Sequence, residues 1–265
     1  NYLVDVGGER YVLKHYGGNI VVGGQLQRRI LHLLERNVGG LNYRKPLFLR
    51  SPDDAISLEK KVLDNWKNSG IDAPIVEDLD HENLLLSYIK GENAACKLKT
   101  GQLTDENLKS LIETISHIRT LALERRDPYL LHNDMHLANF MYDSNGNAIP
   151  IDPGLPFKED LTLEQLDTHI NLFMCYSLIS PCFGYDQETS FKRKEILNHF
   201  VSTLDKPTLQ EMRRINKSLP FVERAYLNAT QIFQGNREYL NFVNSFSPRQ
   251  CAKVDQYIKA ALRRI

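Results

Sequence analysis

LHNDMHLANFMYDSNGNAIPIDPG, residues 131–154, is the stretch on which the reading of this chain turns. Asp134 follows His132 by two residues, Asn139 lies five residues further on, and an Ile-Asp-Pro-Gly turn carries Asp152. Two carboxylates and an amide on a strand–loop–strand unit suit magnesium-assisted transfer of the terminal phosphoryl group of ATP. One carboxylate receives the proton of an acceptor hydroxyl; the other, with the amide, holds the metal that neutralises charge on the phosphates.

Such chemistry also needs a cation for the phosphates, and the flanking sequence offers one. Tyr2–Val6 and Tyr11–Tyr16 are runs of β formers on either side of Gly7-Gly8, a hairpin pattern that puts Lys14 on a strand with alternating faces. A helix is expected from about Ser57 to Ser69. Ser51, Asp53 and Asp54 offer capping oxygens, Leu58, Val62, Leu63 and Trp66 recur at helical spacing, and Gly70 supplies a stop. Glu59 near its start can pair with Lys14 and aim the ammonium at nucleotide phosphates. Read singly, Lys14 is a surface lysine and Glu59 an acid favoured by the helix dipole; together with residues 131–154 they read as a pair.

Further elements follow the same reasoning. Pro74–Val76 and Leu84–Ile89 read as paired strands, ended by Gly91. Leu108, Leu111, Ile112, Ile115, Ile118 and Leu121 form a core-facing stripe from Thr104 to Leu123, with Thr104 as cap. After Asp152 the pattern is helical, in pieces at Thr162–Leu178, Thr189–Leu204, Thr208–Lys217 and Pro248–Arg264. Gly17–Pro52 reads as an insertion with one helix at about Gln25–Arg36. The expected class is α+β with two lobes: a strand-rich N-lobe over residues 1–90 and a mostly helical C-lobe over 91–265, joined by a hinge near Tyr88–Asn93.

The chain has 265 residues with Lys+Arg 33 against Asp+Glu 33. That balance gives no support to capture of nucleic acid over the whole surface. Charge is uneven, however: Arg28, Arg29, Arg36, Arg44, Lys45 and Arg50 face a single acid, Glu35, between Gln25 and Arg50. These read either as a solvated helix face and loop or as a local site for phosphates, anionic sugars or an anionic bilayer surface. Cys96, Cys175, Cys182 and Cys251 show neither a CxxC pair nor zinc spacing, so reduced thiols are expected. No apolar run nears the ~20 residues needed to span a bilayer, and no signal peptide pattern opens the chain. A cytoplasmic protein is expected, peripheral to the inner membrane face if the basic insertion meets lipid. The start at Asn1, without Met, suggests a missing N-terminal piece.

In order along the chain, Tyr-Val-Leu-Lys14, Glu59-Lys-Lys-Val-Leu, Ser69-Gly-Ile-Asp-Ala-Pro74, Leu-Leu-Leu-Ser-Tyr-Ile89, His132-Asn-Asp-Met-His-Leu-Ala-Asn139 and Ile-Asp152-Pro-Gly resemble the protein-kinase-like superfold, up to about Phe173. His136 stands where protein kinases usually carry Lys, as in the aminoglycoside and choline kinase branches. The Val-Asp-x-Gly-Gly-x-x-Tyr-Val-Leu-Lys-His hairpin with its basic insertion is similar to the lipopolysaccharide core kinases, which phosphorylate Kdo or heptose. The resemblance implies an ATP- and magnesium-dependent kinase with a sugar or glycolipid hydroxyl as acceptor. It implies Asp134 as base or hydroxyl-orienting group, Asn139 and Asp152 as magnesium ligands, and Lys14 as phosphate ligand oriented by Glu59. It makes His132 a structural member of the loop, Asp167 a tether for that loop, and Ser87, Tyr88 and Ile89 the adenine-binding hinge. His136 either stabilises charge at the transferred phosphoryl or is a neutral residue bonded within the loop. Two features depart from the pattern: the thirteen residues before Lys14 hold no glycine-rich phosphate loop, Gly7-Gly8 being too close to serve, so that loop is either upstream of Asn1 or absent; and Pro153 replaces the usual Phe. The rivals are a protein kinase, another small-molecule kinase, or a pseudokinase that binds nucleotide without turnover.

Overall fold

The computed structural model describes residues 2–16, 52–154, 162–179, 187–218 and 248–263. The expected helix at Gln25–Arg36 and the basic residues Arg28, Arg29, Arg36, Arg44, Lys45 and Arg50 lie outside these.

Gly7 and Gly8 both take positive φ (62° and 88°), and Val6 faces Glu9 in the ladder. A two-residue turn with both central residues in the left-handed region matches strand twist, and glycine enters that region without strain. It joins β1 (Tyr2–Val6) to β2 (Glu9–His15). β3 (Val76–Leu79) and β4 (Asn83–Ser87) complete a four-stranded antiparallel sheet in the order β1-β2-β4-β3. Val12 pairs with Leu86 and Lys14 with Leu84. Since Leu84 and Leu86 are buried, the strand period of two puts Lys14 on the core side of the sheet. Tyr2, Leu3 and Val6 leave the edge strand β1 exposed.

Helix α1 (Pro52–Asn68) lies against this sheet, burying Ile56, Glu59, Val62, Leu63 and Trp66. It begins five residues before the expected Ser57. Pro52 is suited to a first turn, and Asp53 and Asp54 sit where the helix dipole favours acids. At its end Gly70 N–H donates to Lys67 O (3.1 Å) and Ile71 N–H to Trp66 O (2.9 Å), which satisfies the last carbonyls.

The C-terminal part is helical. A six-residue helix that periodicity does not reveal, α2 (Ala94–Lys99), is capped by Asn93, whose side chain accepts from Cys96 N–H at 2.8 Å. α3 (Asp105–Arg125) buries the Leu108-to-Ile118 stripe under the Thr104 cap. The hairpin of β5 (Phe140–Tyr142) and β6 (Ala148–Pro150) follows. α4 (Leu163–Ile179) is buried on every side from Leu166 onward. Around it pack α5 (Gln187–Ser202), α6 (Lys206–Ser218) and α7 (Pro248–Arg263), the last through Val254, Ile258 and Leu262. A helix buried on every side requires such a jacket, and its buried polar residues, Asp167, Asn171 and Ser177 among them, find their partners within the C-terminal part. The chain is thus α+β, with an N-terminal antiparallel sheet and a helical C-terminal part. Among the described residues no helix is long and apolar enough to cross a membrane.

Trp66 joins the two parts: its indole is fully buried on α1 and donates to Leu130 O at 2.7 Å, at the entry to residues 131–154. Trp66→Ala removes that bond and opens a large cavity, so stability should fall by about 3–5 kcal/mol, read by urea denaturation.

Candidate active site

Three elements converge on Lys14. Its Nζ lies 2.6 Å from Glu59 Oε1 on α1 and 3.1 Å from Asp152 Oδ1 in the Asp-Pro-Gly turn. Lys14 and Glu59 are 7 % and 4 % exposed, whereas the Asp152 side chain is 41 % exposed. Burial works against the Lys14 charge, but the Asp152 and Glu59 carboxylates outweigh it and raise the pKa above the usual lysine value. Burial pushes the Glu59 carboxyl up, and Lys14 offsets part of that shift. Lys14 therefore stays cationic in an apolar setting, a condition met only with carboxylates at contact distance. The other oxygen of Glu59 accepts from Tyr16 Oη, a residue that the sequence pattern did not single out.

The Asp134 loop meets the same turn through Asn139. Asn139 Nδ2 donates to Asp134 O (3.0 Å), Asp134 Oδ2 (3.2 Å) and Asp152 O (3.4 Å). With its N–H donors turned to these oxygens, the amide leaves Oδ1 as its acceptor. Asp152 sits at φ 49°, a left-handed conformation that few non-glycine residues adopt. The next glycine is dictated by space: a Cβ on Gly154 would lie 2.7 Å from Asp134 Cβ and 2.9 Å from Asp134 N. The turn and the loop are pressed together there, and Asn133 N–H donates to Pro153 O (2.8 Å) beside the contact.

His132 is fully buried, with its ring 5.3 Å from both Trp66 and Phe140. Its Nε2 lies 3.0 Å from Ile151 O and donates to it. Burial lowers its pKa to about 4, with the nearby carboxylates only partly opposing, so the ring is neutral at pH 7. His136 is 1 % exposed and lies edge-on to Phe173. Its Nε2 approaches Asp134 Oδ2 at 3.3 Å, without the alignment of a good hydrogen bond. A ring this enclosed lies against the Asp134 carboxylate, with little of it exposed for contact with a phosphoryl group. Burial raises the Asp134 pKa, but His136, His132 and Asn139 more than compensate and bring it down to about 2.

Two expectations need correction. Asp167 does not tether the Asp134 loop. Its carboxylate takes a two-pronged bond from Arg119 of α3, Nε to Oδ1 and the terminal nitrogen to Oδ2, both 2.7 Å, and Asn171 adds a third donor at 2.9 Å. The buried guanidinium of Arg119 requires that carboxylate, and the loop is instead held from α4 by Ser177 Oγ, which accepts from Leu137 N–H at 3.3 Å. Ser87, placed in the adenine hinge, still belongs to the sheet: its N–H donates to Ile75 O (2.9 Å) and its Oγ accepts from Ile75 N–H (2.8 Å). Strand β4 has partners on both sides, so Ser87 N–H is not offered to a ligand. Tyr88 and Ile89 lie past the end of the ladder, half-buried.

Among the described residues no group of three or more His, Cys, Asp or Glu side chains is placed to hold a metal. One carboxylate, Asp152, and one amide, Asn139, nevertheless fit magnesium that arrives with phosphates, because this ion binds through one or two protein carboxylates plus substrate oxygens and water. A surface groove of about 270 Å³ formed by Ile71, Asp72, Glu113, Thr114, His117 and Ala148 contains none of these residues. No protein-family model matches the chain, and no curated protein matches it.

The neutral state of His132 has a measurable consequence. Its unfolded-state pKa of about 6.5 exceeds the folded value, so the unfolded chain binds the extra proton and stability falls as pH drops from about 6.5 towards 4. His132→Asn should reduce the steepness of that fall by up to about 1.4 kcal/mol per pH unit, read as denaturation free energy at successive pH values. An unchanged slope would mean that His132 is not the group resisting protonation.

Proposed function

We propose that this chain is an ATP- and magnesium-dependent phosphotransferase with a two-lobed, protein-kinase-like fold, acting on a hydroxyl group. The observation that carries this reading is one continuous polar network, Tyr16–Glu59–Lys14–Asp152–Asn139–Asp134, in which each member touches the next. It links a strand, a helix and two loops, and it assembles a buried cation beside an open carboxylate.

In this reading Lys14 holds the nucleotide phosphates, with Glu59 keeping its ammonium in place. Asp152 and Asn139 would hold magnesium bound with the nucleotide, and the ion would neutralise charge on the phosphates. Asp134 orients the acceptor hydroxyl. With its pKa near 2 it is a weak base in the resting site. That suits a loose phosphoryl transfer, in which little proton movement is needed before the bond to the leaving oxygen stretches. Buried His136 lies behind the Asp134 carboxylate, and neutral His132 fixes the loop backbone through Ile151. Tyr88 and Ile89 are the backbone positions left for adenine.

The acceptor reading, a Kdo or heptose hydroxyl of a lipopolysaccharide inner core, rests on the resemblance of the hairpin and its basic insertion. Peripheral contact of that insertion with an anionic membrane surface belongs to the same reading. A protein substrate is disfavoured by how soon α4 starts, at Leu163, after the turn ending at Gly154. Incubating the purified protein with labelled ATP, magnesium, a lipopolysaccharide extract and a generic protein should label the glycolipid. Asp134→Ala and Asp152→Asn, the latter tolerating the left-handed backbone of the turn, should each lower the rate roughly hundred- to ten-thousand-fold while circular dichroism stays unchanged. Full activity in either variant removes that residue from the mechanism, and label on protein alone replaces the sugar acceptor with a polypeptide.

A further inference from the structure

Among the described residues, Tyr16 is the one group bonded directly to the Lys14–Glu59 pair that the site does not yet explain. It lies two residues beyond Lys14, so it shares the core-facing side of β2. Its backbone is pinned by N–H donation to Glu82 O at 2.6 Å, which carries the β2–β4 ladder one residue past His15. The ring is half-buried against the core, and the hydroxyl donates to Glu59 Oε2 while Lys14 holds Oε1. Burial and the adjacent Glu59 charge push the phenol pKa upward, so the hydroxyl keeps its proton and acts as donor.

A glutamate carboxylate turns easily about its last torsion, and a single bond from Lys14 would leave that rotation open. A second donor on the other oxygen closes it and satisfies a buried charged acceptor that has no other partner among the described residues. We propose that Tyr16 is a positioning residue, whose hydroxyl fixes the Glu59 carboxylate and through it holds the Lys14 ammonium against Asp152 for nucleotide phosphate. The last clause of that role rests on the phosphotransferase reading; the coupling of Tyr16 to Lys14 does not.

Tyr16→Phe keeps the ring and deletes only the hydroxyl, so a simple packing role would leave the pair untouched. Two measurements separate the possibilities. In nucleotide-free protein, acetylation of Lys14 by acetic anhydride, followed by mass spectrometry, should speed up roughly tenfold in Tyr16→Phe, the size expected for loss of a hydrogen bond to a charged group. With ATP and magnesium, KM for ATP should rise by a similar factor, more than kcat falls. In a Glu59→Gln background, adding Tyr16→Phe should change neither quantity further, because the two act as one unit. Unchanged Lys14 acetylation in Tyr16→Phe, or effects that simply multiply in the double variant, would overturn the proposal. Absence of ATP binding by the wild-type protein would sink the phosphotransferase reading, and the acetylation measurement would still decide the role of Tyr16.

Discussion

The arrangement of the site depends on keeping one ammonium charged inside a protein. Lys14 faces the core side of the sheet, among residues such as Leu84 and Leu86, where an isolated charge would be strongly disfavoured. It is tolerated because Glu59 and Asp152 come to it from a helix and a turn far apart in sequence. Replacing such a cluster by apolar residues often leaves stability unchanged or improved, whereas removing one partner is severe. A buried pair of this kind is therefore poorly explained as a stabilising device, which agrees with the proposed role of Lys14 as a cation held in register for a ligand. The half-exposed third partner, Asp152, marks the side from which a ligand would approach.

The rest of the site is arranged to hold Asp152 and Asp134 at fixed separation. Gly154 lets the turn press against the Asp134 backbone, Asn139 ties both residues by its amide, and His132 anchors the loop to the carbonyl just before Asp152. Trp66 supports His132 from beneath, on the same helix that presents Glu59. Helix α1 thus carries two duties one above the other: Glu59 faces the strand lysine, and Trp66, two turns later, faces the loop. A shift of that helix would disturb the cation and the loop together.

Much of this was legible because it is written in local pattern. Gly7-Gly8 announces the hairpin, the apolar spacing announces α1 and α3, and the run from His132 to Gly154 announces a loop of polar chemistry. What escaped is tertiary. Arg119 sits mid-helix like any solvated arginine, and only the crossing of α3 and α4 reveals that it claims Asp167. Ser87 looked free because the pairing of a strand's far edge cannot be read from one strand. Helix α2 is too short for periodicity, and only Asn93 signals it. Tyr16 was legible in principle: two residues beyond a buried strand lysine, a residue shares its face.

Whether the Lys14–Asp152 network takes up nucleotide with magnesium is decided by calorimetric titration with a non-hydrolysable ATP analogue. Binding should strengthen sharply when magnesium is present, lose that magnesium dependence in Asp152→Asn, and weaken with or without the ion in Lys14→Met. Binding that is indifferent to magnesium and to both substitutions would contradict a nucleotide site there.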